Sequence, residues 1–342
     1  MNQQLKETVS EWSLQAKLAW HRLRLAMPLA KEEKAAFAQS VKLALPDLNP
    51  SQLLALQQRY RFSMRKFNLI KQHLSQLAAP QLEHFIARHV QVEGQEYLDA
   101  LKTDNKPVIF VTPHYGSFQL GCLKLIQEIG KHKTVNAFYN PPSKNRSSEG
   151  FAELFQGLGY GFNALFNDDT AVLKALRVLK RGEALTMMPD VFDISGHALY
   201  VPFFGRLVPA MAGTAMFALK SNATVIVGYS CPQDGLDTKL TLGRPLEIER
   251  SGNLEADIAT LTAAIFRDME AQIRRSPEHW VYLPNIADLI GQRLPVDAQR
   301  GEDWLHTLQQ LAPQFAQDVP ELAQIMQEAF APATSVSAQL AA

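Results

Sequence analysis

His114 is the residue in this chain whose type and setting best suit catalysis. It follows the β-branched apolar run Pro107–Thr112, and the segment His114-Tyr115-Gly116-Ser117-Phe118-Gln119 leads into a helical pattern over Ser117–Ile129. A strand therefore delivers the imidazole to its carboxyl end, and Gly116 allows a tight turn. The backbone N–H groups of the helix's first turn then lie beside the ring, where they can receive developing negative charge. A histidine so placed suits a general base that deprotonates a hydroxyl or amine attacking a thioester. Gln119, on the first helical turn, is close enough to touch the imidazole and fix its orientation. The same placement also suits a purely structural histidine.

Competing chemistries have less support. Ser117 invites a Ser–His nucleophile, but no G-x-S-x-G elbow surrounds it, and capping the helix is its simpler task. His84 and His89 are five apart with no carboxylate between them, and no H-E-x-x-H occurs, so no metal is expected. Cys122 and Cys231 lie far apart without metal-type spacing and read as buried small hydrophobes in a reducing compartment.

The elements that must position His114 fall into three zones. Residues 1–105 read as helical and packed on the rest. Asn49-Pro50-Ser51-Gln52 has the form of an N-cap, a proline at the first helical position and a reciprocal polar residue. Helical spacing continues over Leu53–Leu77, and Pro80 is expected to end it. This helix carries Arg59, Arg61, Arg65, Lys66 and Lys71, read first as a solvated face and second as a phosphate or acyl-carrier contact. Residues 106–290 alternate strands (Pro107–Thr112, Thr134–Tyr139, Ala184–Met188, Thr224–Tyr229) with helices (Ser117–Ile129, Ala171–Lys180, Gly213–Ser221, Leu254–Arg275). This alternation predicts an α/β fold with a mixed, largely parallel central sheet flanked by helices, binding ligands beyond the carboxyl ends of its strands. Residues 291–342 form a helical extension, with Glu302–Leu311 and Pro320–Phe330 as short helices and Ala331–Ala342 as a disordered end.

Bulk properties bound the function. The 342 residues are 46% hydrophobic, enough for a sizeable core, and 34 basic residues balance 34 acidic ones. No overall basic field exists to attract nucleic acid. Met1–Glu11 lacks the apolar core of a signal peptide, and no stretch reaches the ~18–20 apolar residues of a membrane span. Glu11–Ala30 mixes Trp12, Leu14, Leu18, Trp20, Leu23, Leu25 and Met27 with Lys17, His21, Arg22 and Arg24. That mixture suits a helix lying on a membrane surface and equally one packed on the protein.

Together the motifs are similar to those of the lipid A late-acyltransferases, within the glycerolipid or lysophospholipid acyltransferase-like group. His114 to Gln119 resembles their H-x-x-x-x-[D/E], in which histidine is the base and the acid orients it. In the family's order, Ala44-Leu45-Pro46-Asp47-Leu48 resembles C-F-P-E-L, Val92-Glu93-Gly94 resembles V-x-G before the first strand, and Pro189-Asp190 resembles P-D-Q. Val201-Pro202-Phe203-Phe204-Gly205 resembles V-x-F-F-G, Gly213 and Ala218 fit the small-residue helix after it, and Pro277-Glu278-His279-Trp280 resembles P-E-x-W. The likeness spans about residues 35–285 and is specific in combination. It implies acyl transfer from an acyl-carrier-protein or coenzyme A thioester to a lipid or natural-product acceptor, without a cofactor. The expected setting is the cytoplasm, peripheral to the inner face of the bacterial inner membrane.

The departures share a direction, because charged groups disappear while packing positions stay. The acid of the dyad is Gln119. Asn140-Pro141 replaces arginine-proline, although Asn145 is kept; Val191 replaces the glutamine of P-D-Q; and Trp280-Val281-Tyr282-Leu283-Pro284 lacks the usual basic residues. Arginines are the natural bidentate partners of phosphate, so their loss argues against a multiply phosphorylated acceptor. The resemblance makes His114 and Gln119 the catalytic candidates, with Asn140, Asn145 and Asp190 supporting the acceptor, and Phe203, Phe204 and Gly205 beside the acyl chain. Asp190 could also simply cap a turn. Alternating strand faces mean that at least one of Phe203 and Phe204 packs in the core. The alternative to an enzyme is a catalytically degenerate partner subunit that binds an acyl chain or acyl carrier protein.

Overall fold

Asn49-Pro50-Ser51-Gln52 starts a 25-residue helix through its own side chains. Asn49 Oδ1 accepts the Gln52 N–H at 3.0 Å, and Gln52 Oε1 accepts the Asn49 N–H at 2.9 Å. Pro50 sits in the first turn, where no intrahelical N–H is needed. The computed structural model describes residues 3–24, 31–139, 157–166, 168–190, 199–287, 298–320 and 322–324. The N-terminal part contains α1 (Gln3–Arg24), α2 (Lys31–Ala44), α3 (Pro50–Leu74) and α4 (Ala79–His89). Helix α3 stops at Leu74, and Pro80 lies in the first turn of α4, where Gln81 Oε1 accepts the Ala78 N–H at 3.0 Å. The proline that was expected to end one helix thus opens the next.

Then follow β1 (Val90–Glu93), α5 (Gln95–Thr103), β2 (Val108–Val111), α6 (Phe118–Ile129), β3 (Val135–Tyr139), β4 (Phe162–Phe166), α7 (Ala171–Lys180) and β5 (Ala184–Met187). The hairpin β6 (Leu199–Phe203) and β7 (Arg206–Ala210) precedes α8 (Gly213–Ser221), β8 (Thr224–Pro232), β9 (Thr238–Leu242), α9 (Leu254–Arg275) and α10 (Ala298–Phe315). Glu302–Leu311 lies within α10. The remainder of the expected helix beyond residue 324, and the tail after it, lie outside the described residues.

Seven strands form one sheet in the order β1-β9-β8-β2-β5-β3-β4. All neighbours are parallel except β8 and β9, which give the sheet its mixed character. Strand β2 is buried along its whole length, and its side chains divide by parity. Ile109 and Val111 join one apolar cluster, while Val108 and Phe110 join the other. A continuous apolar run is what a strand covered on both faces requires. Helices α7, α8 and α9 contribute to the first cluster, with α2, α3 and α10; α4, α5 and α6 contribute to the second, with α1 and α3.

Helix α1 packs one side on the protein and leaves the other exposed. Leu14 and Leu18 are buried in the second cluster, while Trp12, Trp20 and Leu23 on the opposite side are 68%, 53% and 77% exposed. Among the described residues, no helix is long and apolar enough to cross a membrane.

Candidate functional site

Parallel pairing of β2 with β5 brings two polar residues to one place. Val111 pairs with Met187, and His114 and Asp190 each lie three residues beyond that last pair. Strand ends in register thus deliver an imidazole and a carboxylate side by side, at the carboxyl edge where parallel sheets place their sites. His114 Nδ1 lies 2.8 Å from Asp190 Oδ1. The His114 backbone N–H donates to Oδ2 of the same carboxylate at 2.8 Å, and Trp280 Nε1–H donates to Oδ2 at 3.0 Å. Asp190 and Trp280 are both fully buried, whereas the His114 side chain keeps 21% exposure.

The protonation geometry follows. An ionised carboxylate only accepts, so it selects the tautomer with the proton on Nδ1 and leaves the Nε2 lone pair free. This is the arrangement a general base requires. The atom that the sequence assigned to the Gln119 amide is bonded to Asp190 instead. Gln119 stands in the first turn of α6, and no hydrogen bond joins it to His114 among the described residues. The cause is strand order, because β5 lies next to β2 and carries an acid to the ring from 76 residues away.

The segment after α9 clamps the loop. Gly116 donates its N–H to His279 O at 2.8 Å, Val281 donates to His114 O at 2.9 Å, and Tyr115 bridges to Trp280. Gly116 has φ +56°, and a Cβ placed there would meet Ser230 O at 2.1 Å, so only glycine fits. Ser117 donates its backbone N–H to Ser230 O at 3.2 Å. It stands at the N-cap position, but its buried hydroxyl makes no capping bond.

Aromatic side chains border the imidazole. Phe118 and Tyr282 meet it edge-on at 5.1 and 5.2 Å, and Phe67 of α3 stacks on Phe118 at 5.2 Å. Burial, reinforced by the Asp190 charge, raises the Tyr282 phenol above its ordinary value. Tyr60 on α3 donates to Val281 O at 2.8 Å, and burial pushes its phenol up to about 12.

Phe203 and Phe204 lie beneath this layer, in the core. Phe203 is fully buried against Phe266 and Trp280, and Phe204 stacks on Trp280 at 6.3 Å. Phe204 and Gly205 form the two-residue turn of the β6–β7 hairpin, with φ of +52° and +75°. Both values positive match a type I′ turn, which accounts for the glycine. Asn140 and Asn145 lie outside the described residues, as does Val191. Of the sequence candidates, the structure thus joins His114 to Asp190 directly and places Phe203 and Phe204 behind Trp280. Sequence reasoning gave no role to Trp280, Tyr282 or Phe118. The P-E-x-W likeness was the one signal that marked the first of them.

A family model described as bacterial lipid A biosynthesis acyltransferase matches residues 65–285. No curated protein matches the chain.

Proposed function

Since the chain belongs to the bacterial lipid A biosynthesis acyltransferase family, we propose that it moves a fatty or polyketide-type acyl chain from an acyl-carrier-protein or coenzyme A thioester to the hydroxyl or amine of a lipid or natural-product acceptor. The observation that carries this reading is the partly exposed imidazole bonded through Nδ1 to the buried Asp190. His114 Nε2 takes the acceptor's proton as its oxygen or nitrogen attacks the thioester carbonyl. The imidazolium so formed is stabilised by the Asp190 carboxylate, and the tetrahedral oxyanion by backbone N–H groups at the start of α6. Collapse breaks the C–S bond, and the departing thiolate takes the proton back from the imidazolium.

In this mechanism Asp190, rather than Gln119, orients the base. The Gln119 amide is left to contact substrate, together with Asn140 and Asn145 on the acceptor side. The acyl chain lies along Phe118 and Tyr282, over the Trp280 ring that Phe203, Phe204 and the Gly205 turn support. The exposed Trp12, Trp20 and Leu23, with Lys17 and Arg24 on the same helix, set α1 against an anionic membrane surface, at the inner face of the bacterial inner membrane.

A second reading, a degenerate subunit that presents an acyl chain or carrier protein to another enzyme, is favoured by the amide at position 119. The carboxylate on His114 Nδ1 weighs against it. The two separate when purified protein is incubated with acyl-carrier and coenzyme A thioesters and candidate acceptors, wild type beside His114→Ala. Transfer by wild type and none by the variant supports the enzyme. Equal donor binding by both, with transfer by neither, establishes the binding subunit instead.

A further inference from the structure

A cleft of about 320 Å³ opens between α3, the end of α1, the β8–β9 connection and the Pro277–His279 turn. Three cations, Arg22, Arg59 and Lys66, stand on its walls against one carboxylate, Glu278. Arg59 donates Nε–H to Glu278 at 3.1 Å, and the Arg22 guanidinium lies 5.5 Å over the Phe62 ring. Lys66 is the unusual group, at 5% exposure. Its ammonium donates to Gln233 O at 2.6 Å, which accounts for one of its three N–H bonds. Withdrawal from water pushes its pKa down to about 8, against the attraction of Asp237 and Asp234. Ser63 Oγ lies 2.8 Å from His279 Nδ1, and burial keeps that imidazole below its usual value. The hydroxyl–imidazole pair therefore offers hydrogen bonds without another charge at neutral pH.

A dehydrated ammonium with a single backbone acceptor is stabilised by an anion with several oxygens, and arginines on the rim favour the same geometry. The volume lies at the small end of the range for ligand sites, enough for a phosphate and the atoms beside it. The wall is continuous with the catalytic loop. His279 accepts the Gly116 N–H, Trp280 holds Asp190 and Val281 binds His114 O. A group anchored in the cleft is thus tied to the segment that orients the base.

We propose that this cleft anchors the phosphate ester of a substrate, with Lys66, Arg22 and Arg59 as its cationic partners. The inference rests on the acyltransferase reading and names, for that reaction, a substrate bearing a single phosphate. Two sources share this chemistry, the pantetheine phosphate of a thioester donor and a phospholipid headgroup.

Calorimetric titration of the full chain at pH 7 tests it with two pairs of probes. These are 4′-phosphopantetheine against pantetheine, and monomeric dihexanoyl phosphatidylglycerol against dihexanoylglycerol. The expected result is a preference of about tenfold or more for the phosphate-bearing member of at least one pair, as charge-assisted hydrogen bonds supply. The pair that shows it names the source. Lys66→Gln and Arg22→Gln each reduce the preference about tenfold, and raising the pH through 8 to 9 weakens it as the Lys66 ammonium loses its proton beside Asp234, Asp237 and His279. If Lys66→Gln does not fold, the exposed Arg22→Gln and the pH profile decide. Equal affinities within both pairs, or a preference that survives Arg22→Gln and high pH, overturns the cleft. Phosphate preference in a protein that transfers no acyl group sinks the acyltransferase reading and leaves the cleft standing; transfer without that preference does the reverse.

Discussion

Replacing Asp190 by asparagine keeps the shape of a fully buried side chain and removes its charge. The carboxylate accepts one N–H at Oδ1, from His114 Nδ1, and two at Oδ2, from the His114 backbone and Trp280 Nε1. An amide has one acceptor oxygen, so the orientation that satisfies more donors puts its oxygen at the Oδ2 position and its NH2 against the imidazole. Nδ1 must then accept, the ring proton moves to Nε2, and the atom meant to take the acceptor's proton already holds one. The opposite orientation keeps the useful tautomer but sets two donors against an NH2, at about 1–3 kcal/mol for each unsatisfied buried group. The wrong tautomer is therefore the expected state. Acid-to-amide exchange in a Ser-His-Asp triad costs about 10⁴-fold through the same tautomer change. A loss of that order in acyl transfer corresponds to ~5.5 kcal/mol of barrier. The assay is steady-state transfer together with nitrogen-15 NMR of labelled histidine, which reads the tautomer without knowledge of the acceptor. Gln119→Ala serves as the control for the tautomer, which stays on Nδ1, because Gln119 makes no bond to the ring. Retention of the Nδ1–H tautomer and the rate by Asp190→Asn, with loss of that tautomer in Gln119→Ala, refutes Asp190 as the group that orients the base.

Three further outcomes follow from the same geometry. Gly116→Ala should lose about 3 kcal/mol or more in urea unfolding, or fail to fold, because φ is +56° and the new methyl would sit 2.1 Å from Ser230 O; near-native stability would contradict the clamp on this loop. Trp280→Phe removes one of the two donors to Asp190 Oδ2 from a fully buried position and should cost about 1–3 kcal/mol in the same measurement. Burial holds His73 and His279 below the ordinary histidine value. Unfolded, they return to about 6.5, so the unfolded chain binds more protons at acid pH. Their effect on stability is absent above that value and becomes a loss as the pH falls through it. Denaturant midpoints between pH 7 and 5 should decline, and the combined His73→Gln and His279→Gln variant should flatten the decline; an unchanged slope would remove these residues from the account.

The local pieces of this protein were legible because each is set by neighbours along the chain. The capping box at Asn49, the apolar runs of β2, β5 and β8, and the delivery of His114 to a strand end all rest on spacing that a few residues contain. Strands β1, β4 and β9 were not read as strands. They are four or five residues long, and their polar positions keep part of each exposed, as in the alternating burial of Thr238–Leu242. The β6–β7 hairpin was hidden because its turn uses Phe204 where a type I′ turn usually carries asparagine.

What the amino-acid order determined by itself was the supply of groups: a histidine and an aspartate each placed just past an apolar strand, a tryptophan in a proline-bounded turn, and a lysine on a long helix. Their partnerships were decided by the fold. Strand β2 lies between β5 and β8, neither of which is its neighbour in sequence, and that order puts Asp190 on His114 while leaving Gln119 off the ring. Burial decided Lys66 as well, since α3 meets the Pro277–His279 turn only in three dimensions. Helices and turns follow from local periodicity and capping, but the choice of which strand lies beside which depends on how two sheet faces are covered at once. That choice selects the acid that orients the base.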